Sequence, residues 1–345
     1  MESLPTQSTH TRLVSSHILP PGDEEEDVVV EQTLRPADLT EFVGQHHIKE
    51  PVLIAIEASK TRGDAFEHTL LHGNPGLGKT TLAHIIAKEM ASTIRVTSGP
   101  ALDRVGDLAA ILSQLEHGDV LFIDEIHRMN KTIEEVLYSA MEDFALDIIV
   151  GKGPTARTLR MPLNPFTLIG ATTQMNLLSS PLRDRFGHVF HFRFYDHEDI
   201  DLIVKRNARR LKVTLHDEAS AMIAERSRRT PRVANRLLRR VRDYATVRHD
   251  GIIDVRATMG AFHLLHVDEY GLDDVDRHIL DTIITTFQGG PVGLSTLAAA
   301  TGEQTDTIET IYEPYLIQIG MLERTPRGRK ATQAAVDHLS LRSHQ

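Results

Sequence analysis

The 345-residue sequence contains no cysteine and no tryptophan, and aromatic residues make up only 5% of it. The absence of cysteine excludes disulfide bonds and thiolate metal sites. No stretch approaches the roughly 20 consecutive apolar residues that a membrane-spanning helix needs. Residues 1–5 (MESLP) lack the basic-then-apolar order of a signal peptide. These absences favour a cytoplasmic enzyme without a membrane segment.

Basic residues are fewer than acidic ones, with 38 Lys and Arg against 48 Asp and Glu, which gives a formal net charge of −10. A protein that coats nucleic acid with its whole surface would be basic, so any DNA-binding role must be confined to one face or one domain. Locally the balance varies, because Asp23–Asp27 is an acidic run while the segment from Lys205 to Arg248 is rich in arginine. The length predicts two or three domains.

The pattern along the chain changes near residue 34. Residues 1–33 are polar and aperiodic, and they are expected to form a disordered tail. Residues 34–186 alternate short apolar runs with helical patterns, which predicts an α/β domain with a parallel sheet and helices on both faces. The expected strands and helix are, in order, Thr69–Leu71, Thr80–Ala91 (the helix), Ile94–Val96, Val120–Ile123 and Thr167–Ala171.

Three further segments have their own patterns. Residues 144–166 predict a β-hairpin around the turn sequence GKGP, and Ile148, Ile149 and Val150 near its tip would form an exposed docking surface. Residues 187–268 predict a small all-α domain. Residues 269–345 predict three helices followed by two strands around Pro326–Gly328, which is the outline of a winged helix.

Residues Gly73–Thr80 read GNPGLGKT and match the P-loop pattern G-x-x-x-x-G-K-[ST] between a predicted strand and a predicted helix. Glycines such as Gly76 and Gly78 let backbone N–H groups approach phosphate oxygens, and the following helix directs its positive end at the anion. Lys79 is expected to contact the β- and γ-phosphates of ATP, and the Thr80 hydroxyl is expected to ligate Mg²⁺. The strand–loop–helix context argues against a merely structural glycine turn.

A second motif, Asp124-Glu125, ends the predicted strand Val120–Ile123. Asp124 is expected to hold Mg²⁺, and Glu125 is expected to activate the attacking water as a general base. An acidic pair at a strand end is usually only solvated, but its position downstream of a P-loop favours catalysis. His127 is predicted to be a solvent-facing or sensor residue rather than a metal ligand, because no second ligand lies nearby.

These motifs belong to a longer pattern that closely resembles the RuvB family of Holliday junction branch-migration ATPases, from Leu34 to about Leu339. The matching stretches are LRP (34–36), FVGQ (42–45), GLGKTTLA (76–83), LFIDEIHR (121–128), AMEDF (140–144), GATT (170–173), EPYLI (313–317) and RTPRGR (324–329). A P-loop alone indicates only an NTPase. The resemblance implies an AAA+ ATPase domain, a small helical domain and a C-terminal winged-helix domain.

The resemblance also implies roles for residues outside the two motifs. Thr173 would sense the γ-phosphate, Arg185 would act as an arginine finger on the ATP of a neighbouring subunit, and Arg232 would be a second sensor. The further nucleotide-binding positions would be Leu34, Arg35, Val43, Thr81, Glu142, Asp143, Phe144 and Tyr195. Plainer interpretations stay open, with Arg185 as a surface ion-pair residue, Arg232 as part of a solvated basic helix face and Tyr195 as core filling.

Partners follow from the same resemblance. The hairpin at 144–166 would dock RuvA through Ile148–Val150. Arg324 and Arg329, which flank the wing turn, would contact phosphates of duplex DNA at Holliday junctions, unless they are ordinary exposed turn residues. A finger that acts in trans implies a closed ring, a hexamer in this family, and RuvC would be a further partner.

Four positions depart from the usual family pattern: Asn74, Gln174, Arg229 and Glu323. None of them removes a catalytic group, so they bear on rate and affinity. Two rival functions stay open. An AAA+ protein remodeller or clamp loader would usually carry a different C-terminal module, and a non-catalytic ATP-dependent scaffold would not need Glu125.

Overall fold

The computed structural model describes residues 33–150 and 157–342, and of Ile148–Val150, Arg157, Thr158, Leu341 and Arg342 it describes the backbone only. The tail expected at residues 1–33 therefore lies outside the described residues except for Thr33, and so do the side chains expected to dock a partner. The chain divides into two compact units, one of residues 34–274 and one that includes residues 275–342. Within the described ranges, no helix is long and apolar enough to cross a membrane.

The first part of the 34–274 unit alternates strands and helices as the sequence predicts. Its elements are α1 (His46–Arg62), β1 (Thr69–His72), α2 (Lys79–Glu89), β2 (Ile94–Ser98), α3 (Val105–Leu112), β3 (Val120–Asp124), α4 (Lys131–Asp143), β4 (Ala145–Val150), β5 (Arg157–Pro162), β6 (Thr167–Thr172), α5 (Ser180–Arg183) and β7 (His188–His191).

Five of these strands form one parallel sheet in the order β2–β3–β6–β1–β7, which confirms the predicted architecture. The sheet is covered on both faces, so its central strands read as apolar runs. In β3, Phe122 packs into the core beneath α1 and α2, while Leu121 and Ile123 pack on the opposite face with α3 and α4. Because all five strands run the same way, the residues that follow β1, β3 and β6 meet at one edge.

The sheet continues beyond residue 186, where the sequence placed the end of the large domain. Strand β7 pairs with β1, with Phe190 opposite Leu71. The expectation that residues 187–268 are all helical is therefore wrong for the first few of them. β7 is an edge strand in which only Phe190 is buried, so it lacks the continuous apolar run by which the central strands were recognised.

The remainder of this unit is largely helical and shares a core with the sheet. Its elements are α6 (His197–Arg210), β8 (Thr214–Leu215), α7 (Asp217–Glu225), α8 (Pro231–Arg248), β9 (Ile252–Ile253) and α9 (Val255–Leu264). Ile200 and Val204 of α6 and Leu238 of α8 belong to the same buried cluster as Leu82 and Ile86 of α2. The start of α2, which carries the P-loop lysine, is thus anchored against the helical part by apolar packing.

The predicted hairpin is confirmed, because β4 and β5 pair antiparallel with Leu146 opposite Met161. Leu146 is buried in the large-domain core, which anchors the base of the hairpin. Arg160 of β5 adds an ion pair to Asp143 at the end of α4, at 2.7 Å.

The second unit has the three helical segments and two strands expected of a winged helix, because α12, a π-helical turn and α13 form one continuous segment, and a further helix, α14, follows the strands. Its elements are α10 (Asp274–Asp281, followed by a π-helical turn), α11 (Leu294–Thr301), α12 (Thr305–Thr307, followed by a second π-helical turn), α13 (Glu313–Gln318), β10 (Leu322–Thr325), β11 (Gly328–Ala331) and α14 (Gln333–Arg342). Strands β10 and β11 pair antiparallel around the wing turn, and Val292 bridges to Arg329. Gly328 has φ 135°, and a Cβ there would lie 2.2 Å from the Val292 carbonyl oxygen, so only glycine fits.

Candidate functional site

The predicted catalytic motifs converge at the carboxyl edge of the sheet. The P-loop follows β1, Asp124 ends β3, and Thr173 follows β6. A backbone hydrogen bond from the Gly73 N–H to the Thr172 carbonyl oxygen, at 3.2 Å, joins the P-loop to the end of β6. Residues that are far apart in sequence thus form one polar site above the sheet.

The P-loop adopts a backbone path that requires its glycines. Gly73, Gly76 and Gly78 have φ values of 141°, 77° and 100°, a region that L-residues rarely adopt. A Cβ at Gly73 would lie 2.6 Å from the Phe192 carbonyl oxygen, and one at Gly76 would lie 2.9 Å from Cβ of Arg232. Both conformation and crowding therefore fix glycine at these two positions.

Lys79 points back into the loop that precedes it. Its Nζ donates to the carbonyl oxygens of Gly73 at 2.7 Å and Asn74 at 2.9 Å. Burial lowers the pKa of Lys79 to about 8, although the nearby Glu125 and Asp124 carboxylates act in the opposite direction. Phosphates bound in the loop would favour the charged amine further, because an adjacent anion stabilises it.

Asp124 and Thr80 supply the oxygen ligands that Mg²⁺ prefers. Burial raises the pKa of the Asp124 carboxyl, while the Glu125 N–H, which donates to Oδ1 at 2.9 Å, opposes that rise. The charges of Lys79 and Arg232 act on the same carboxyl in the same lowering direction. A partly buried carboxylate at the end of β3, with a hydroxyl at the start of α2, suits a small divalent cation that retains much of its water.

Glu125 has a left-handed backbone, with φ 45°. Its Oε2 accepts a hydrogen bond from the Thr173 hydroxyl at 2.9 Å. The predicted base and the predicted sensor are thus in direct contact. His127 is also part of this group, and its side chain is only 5% exposed. Of the two roles predicted for His127, the solvent-facing one is therefore wrong, because the turn after β3 folds the ring back towards the end of β6. The sensor role stays a prediction.

The predicted adenosine residues lie where the N-terminal segment meets α6. Leu34 is buried, Val43 packs against the core, and the Arg35 carbonyl oxygen accepts from Arg210 at 2.6 Å. The Tyr195 hydroxyl donates to the Leu77 carbonyl oxygen inside the P-loop at 3.1 Å. Burial raises the pKa of Tyr195 well above its ordinary value, so it remains a neutral donor. Tyr195 is core filling in part, but its hydroxyl also braces the phosphate loop.

Arg232 stands against the P-loop, as its predicted sensor role requires. Its backbone N–H donates to the Gly76 carbonyl oxygen at 3.4 Å, and its charge lowers the pKa of Asp124. The Arg232 side chain is nevertheless exposed. These contacts place the start of α8 beside the P-loop, and the sensor role of Arg232 stays a prediction.

Arg229 is a site residue that sequence reasoning noted only as a departure from the family pattern. Its guanidinium donates to the Tyr195 carbonyl oxygen at 2.8 Å and pairs with Asp196 at 2.7 Å. Its own carbonyl oxygen accepts from the Tyr195 N–H at 3.0 Å. Arg229 keeps the left-handed φ of 54° that a glycine would adopt more easily, and these three bonds offset that strain. Its only signal in the sequence was an arginine where the family commonly has glycine.

Arg185 does not stand alone on the surface. Its guanidinium pairs with Glu142 and lies 5.9 Å from the centre of the Tyr138 ring, both on α4. Among the described residues, Arg185 Nε is buried without a hydrogen-bond partner. Asp143 pairs with Arg160, and Phe144 packs edge-on against Phe166. The predicted residues Glu142, Asp143 and Phe144 thus all lie at the end of α4, where Glu142 pairs with Arg185.

The two predicted DNA contacts in the winged helix differ sharply. Arg324 is 57% exposed and pairs with Glu309 at 2.9 Å. Arg329 is only 8% exposed, and its Nε and Nη2 both donate to Oε2 of the buried Glu313, at 3.0 and 2.8 Å. The expectation that both arginines present themselves to phosphates therefore needs correction for Arg329. Alternation along β11 turns its side chain inward and leaves Lys330 outward.

Comparisons with known proteins agree along the described chain. Family models described as "Holliday junction DNA helicase RuvB P-loop domain", "RuvB AAA lid domain" and "RuvB C-terminal winged helix domain" match residues 34–192, 195–268 and 269–340. The Holliday junction branch migration complex subunit RuvB of Dehalococcoides mccartyi is 58% identical over 92% of this chain and 90% of its own length. Its namesake from Chloroflexus aurantiacus is 54% identical over 95% and 93%.

Solved structures give the same result in three dimensions. The Thermotoga maritima RuvB Holliday junction branch migration motor is 51% identical, covers 90% of this chain and 99% of its own, and superposes with a TM-score of 0.83. Sequence, domain order and fold all agree. The chain therefore belongs to the RuvB family of AAA+ P-loop ATPases.

Proposed function

We propose that this chain is an ATP-driven DNA motor subunit that promotes branch migration at Holliday junctions during recombination and repair. The observation that carries the proposal is that the P-loop and the predicted residues Asp124, Glu125 and Thr173 converge at one sheet edge in a chain that also holds a winged helix. The relatives are named as branch migration complex subunits. Both facts favour this function over a protein remodeller, a clamp loader or an ATP-dependent scaffold.

Each side chain at the sheet edge has a chemical task. The P-loop amides and Lys79 bind the phosphates, and Thr80 with Asp124 would hold Mg²⁺. That ion, when bound, supplies positive charge beside the β- and γ-phosphates. Glu125 takes the proton from the attacking water, and the Thr173 hydroxyl orients the γ-phosphate. Thr81 follows Thr80 in the first turn of α2, where its N–H adds to the positive helix end.

Hydrolysis would be completed by a second subunit. Arg185 with its partner Glu142 would face the ATP of the neighbouring protomer in a hexameric ring, because head-to-tail contacts that close produce rings. Arg232 and Tyr195 would pass the nucleotide state to the helical part of the chain. RuvA would dock on the β4–β5 hairpin, RuvC would join the same junction complex, and the assembly would work in the cytoplasm.

Steady-state ATP turnover tests this function. We expect duplex DNA together with RuvA to raise turnover, and the protein with RuvA to move a synthetic four-way junction only when ATP is present. A matched control is duplex DNA without RuvA, which is expected to stimulate less. If neither DNA nor RuvA changes the rate of ATP turnover, the protein would still be an ATPase, but the branch-migration function would be contradicted. The protein-remodelling alternative would then take its place.

Substitutions of the two arginines beside the wing turn, Arg324 and Arg329, are expected to have different effects. Arg324→Gln should weaken duplex binding and reduce the slope of log affinity against log salt by about 1, as loss of one phosphate contact does. Arg329→Gln should instead cost up to about 3–5 kcal/mol of stability in the wing, because the buried Glu313 would keep only the longer ion pair with Arg324, at 3.7 Å. Salt titrations of DNA binding and denaturant unfolding separate the two effects. An unchanged salt slope for Arg324→Gln would remove it as a phosphate contact.

A further inference from the structure

His127 is a buried side chain beside the proposed base, and the mechanism above does not use it. It lies in the short 3₁₀ turn Ile126–Arg128 directly after β3. Its Nδ1 is 2.8 Å from the Thr172 hydroxyl oxygen and 3.3 Å from Glu125 Oε2. One ring nitrogen therefore reaches both the base and the end of β6.

The neighbours of Nδ1 determine where the ring proton sits. A carboxylate oxygen can only accept, so an unprotonated Nδ1 would direct its lone pair at the negative Glu125 oxygen. The Thr172 hydroxyl oxygen already accepts from the Gln174 N–H at 3.0 Å and has a second lone pair for another donor. These surroundings assign a proton to Nδ1, shared between Thr172 Oγ1 and Glu125 Oε2.

Two donors then act on the same oxygen of the base. Glu125 Oε2 accepts from the Thr173 hydroxyl at 2.9 Å, and His127 Nδ1 approaches it from the turn after β3. This arrangement leaves Oε1 as the oxygen that can face a water in the phosphate site. Glu125 lies just past the end of β3 with a left-handed backbone, φ 45°. Strand pairing therefore does not fix its side chain, and the direction of the carboxylate depends on what holds it.

We infer that His127 is a positioning residue for ATP hydrolysis, which orients the Glu125 carboxylate through Oε2 so that Oε1 takes the proton from the attacking water. Because Glu125 is itself proposed as the base, this role rests on the proposed function. His127 touches neither nucleotide nor water in this role. It acts through Glu125, and the Thr172 hydroxyl holds the same ring nitrogen at 2.8 Å.

The nitrogen that His127 uses provides a sharp test. The side-chain amide nitrogen of asparagine stands two bonds from Cβ, as Nδ1 does, whereas that of glutamine stands three bonds away. We expect His127→Gln and His127→Ala to lower kcat for ATP about 10- to 100-fold with KM nearly unchanged, since small misplacements of a catalytic group have costs of this size. His127→Asn should retain most of the turnover.

His68→Gln is the matched control for the loss of a largely enclosed histidine, since His68 is half-buried. His68 precedes β1 at the opposite end of the strand from the P-loop, and its Nδ1 accepts from the Leu168 N–H at 2.9 Å. This substitution should lower Tm and leave kcat unchanged. All variants are measured as full-length protein with Mg²⁺, ATP and duplex DNA, and binding of a fluorescent ATP analogue is measured beside turnover.

A double-mutant comparison separates this inference from the function on which it rests. If Glu125 is the base and His127 acts through it, His127→Ala should cause no further loss in a Glu125→Gln background. An inactive Glu125→Gln together with a fully active His127→Ala would overturn the role of His127 alone, as would equal losses in His127→Asn and His127→Gln. A Glu125→Gln protein that retains turnover would overturn the proposed base and the role of His127 with it.

Discussion

Glu125→Gln is expected to bind ATP normally and to hydrolyse it about 10²- to 10⁴-fold more slowly, the usual contribution of a general base. Glutamine keeps the size of the side chain and can still accept from the Thr173 hydroxyl, which lies 2.9 Å from Oε2 in the wild type. It cannot take a proton from water. Single-turnover hydrolysis of radiolabelled ATP, with binding of a fluorescent ATP analogue measured in parallel, separates loss of chemistry from loss of binding.

Glu135→Gln is the control for this substitution. Glu135 is an exposed residue of α4, so neutralising it changes the net charge by the same amount away from the site. Its turnover should match that of the wild type. Hydrolysis by Glu125→Gln within a few fold of the wild type would mean that another group activates the water.

Arg185→Ala is expected to reduce DNA-stimulated turnover by about 10³- to 10⁵-fold, the range measured for arginine fingers. The affinity of the same subunit for ATP should be retained, because the P-loop contacts of Lys79 and the bracing hydroxyl of Tyr195 are separate from the α4 residues that hold Arg185. Arg183→Ala is a matched control, since Arg183 is an exposed arginine two positions earlier and its loss should leave turnover intact.

A mixing experiment shows whether the finger acts in trans. Lys79→Ala subunits lack a working P-loop but keep Arg185, and Arg185→Ala subunits have the reverse defect. In rings assembled at random from equal amounts, about a quarter of the interfaces would combine a working P-loop with a working finger. Turnover should therefore reappear on mixing two inactive proteins. If mixed rings form and remain inactive, Arg185 would either act within its own subunit or have only a structural role.

The sequence alone determined the features that depend on neighbouring residues. A P-loop needs a fixed order of glycines, lysine and threonine between a strand and a helix, and Gly73–Thr80 contains all of it in eight consecutive positions. The central strands were equally readable, because burial on both faces demands continuous apolar runs such as Val120–Ile123. The hairpin and the winged-helix outline were also predicted correctly, because in both of them turn residues mark the boundary between elements that are adjacent in the sequence.

Tertiary structure decided everything that depends on a partner far along the chain. Arg324 and Arg329 look equivalent in the sequence, yet a buried Glu313 from another element turns Arg329 into an internal ion pair. His127 reads as a surface residue after a strand, but the end of β6, some 45 positions later, gives it a partner and buries it. Arg229 looks like a departure until Tyr195 stands beside it. A local sequence pattern determines which elements and motifs form. The burial and the pairing of each side chain are decided only when distant elements pack, because that packing removes water and selects the partner of each charge.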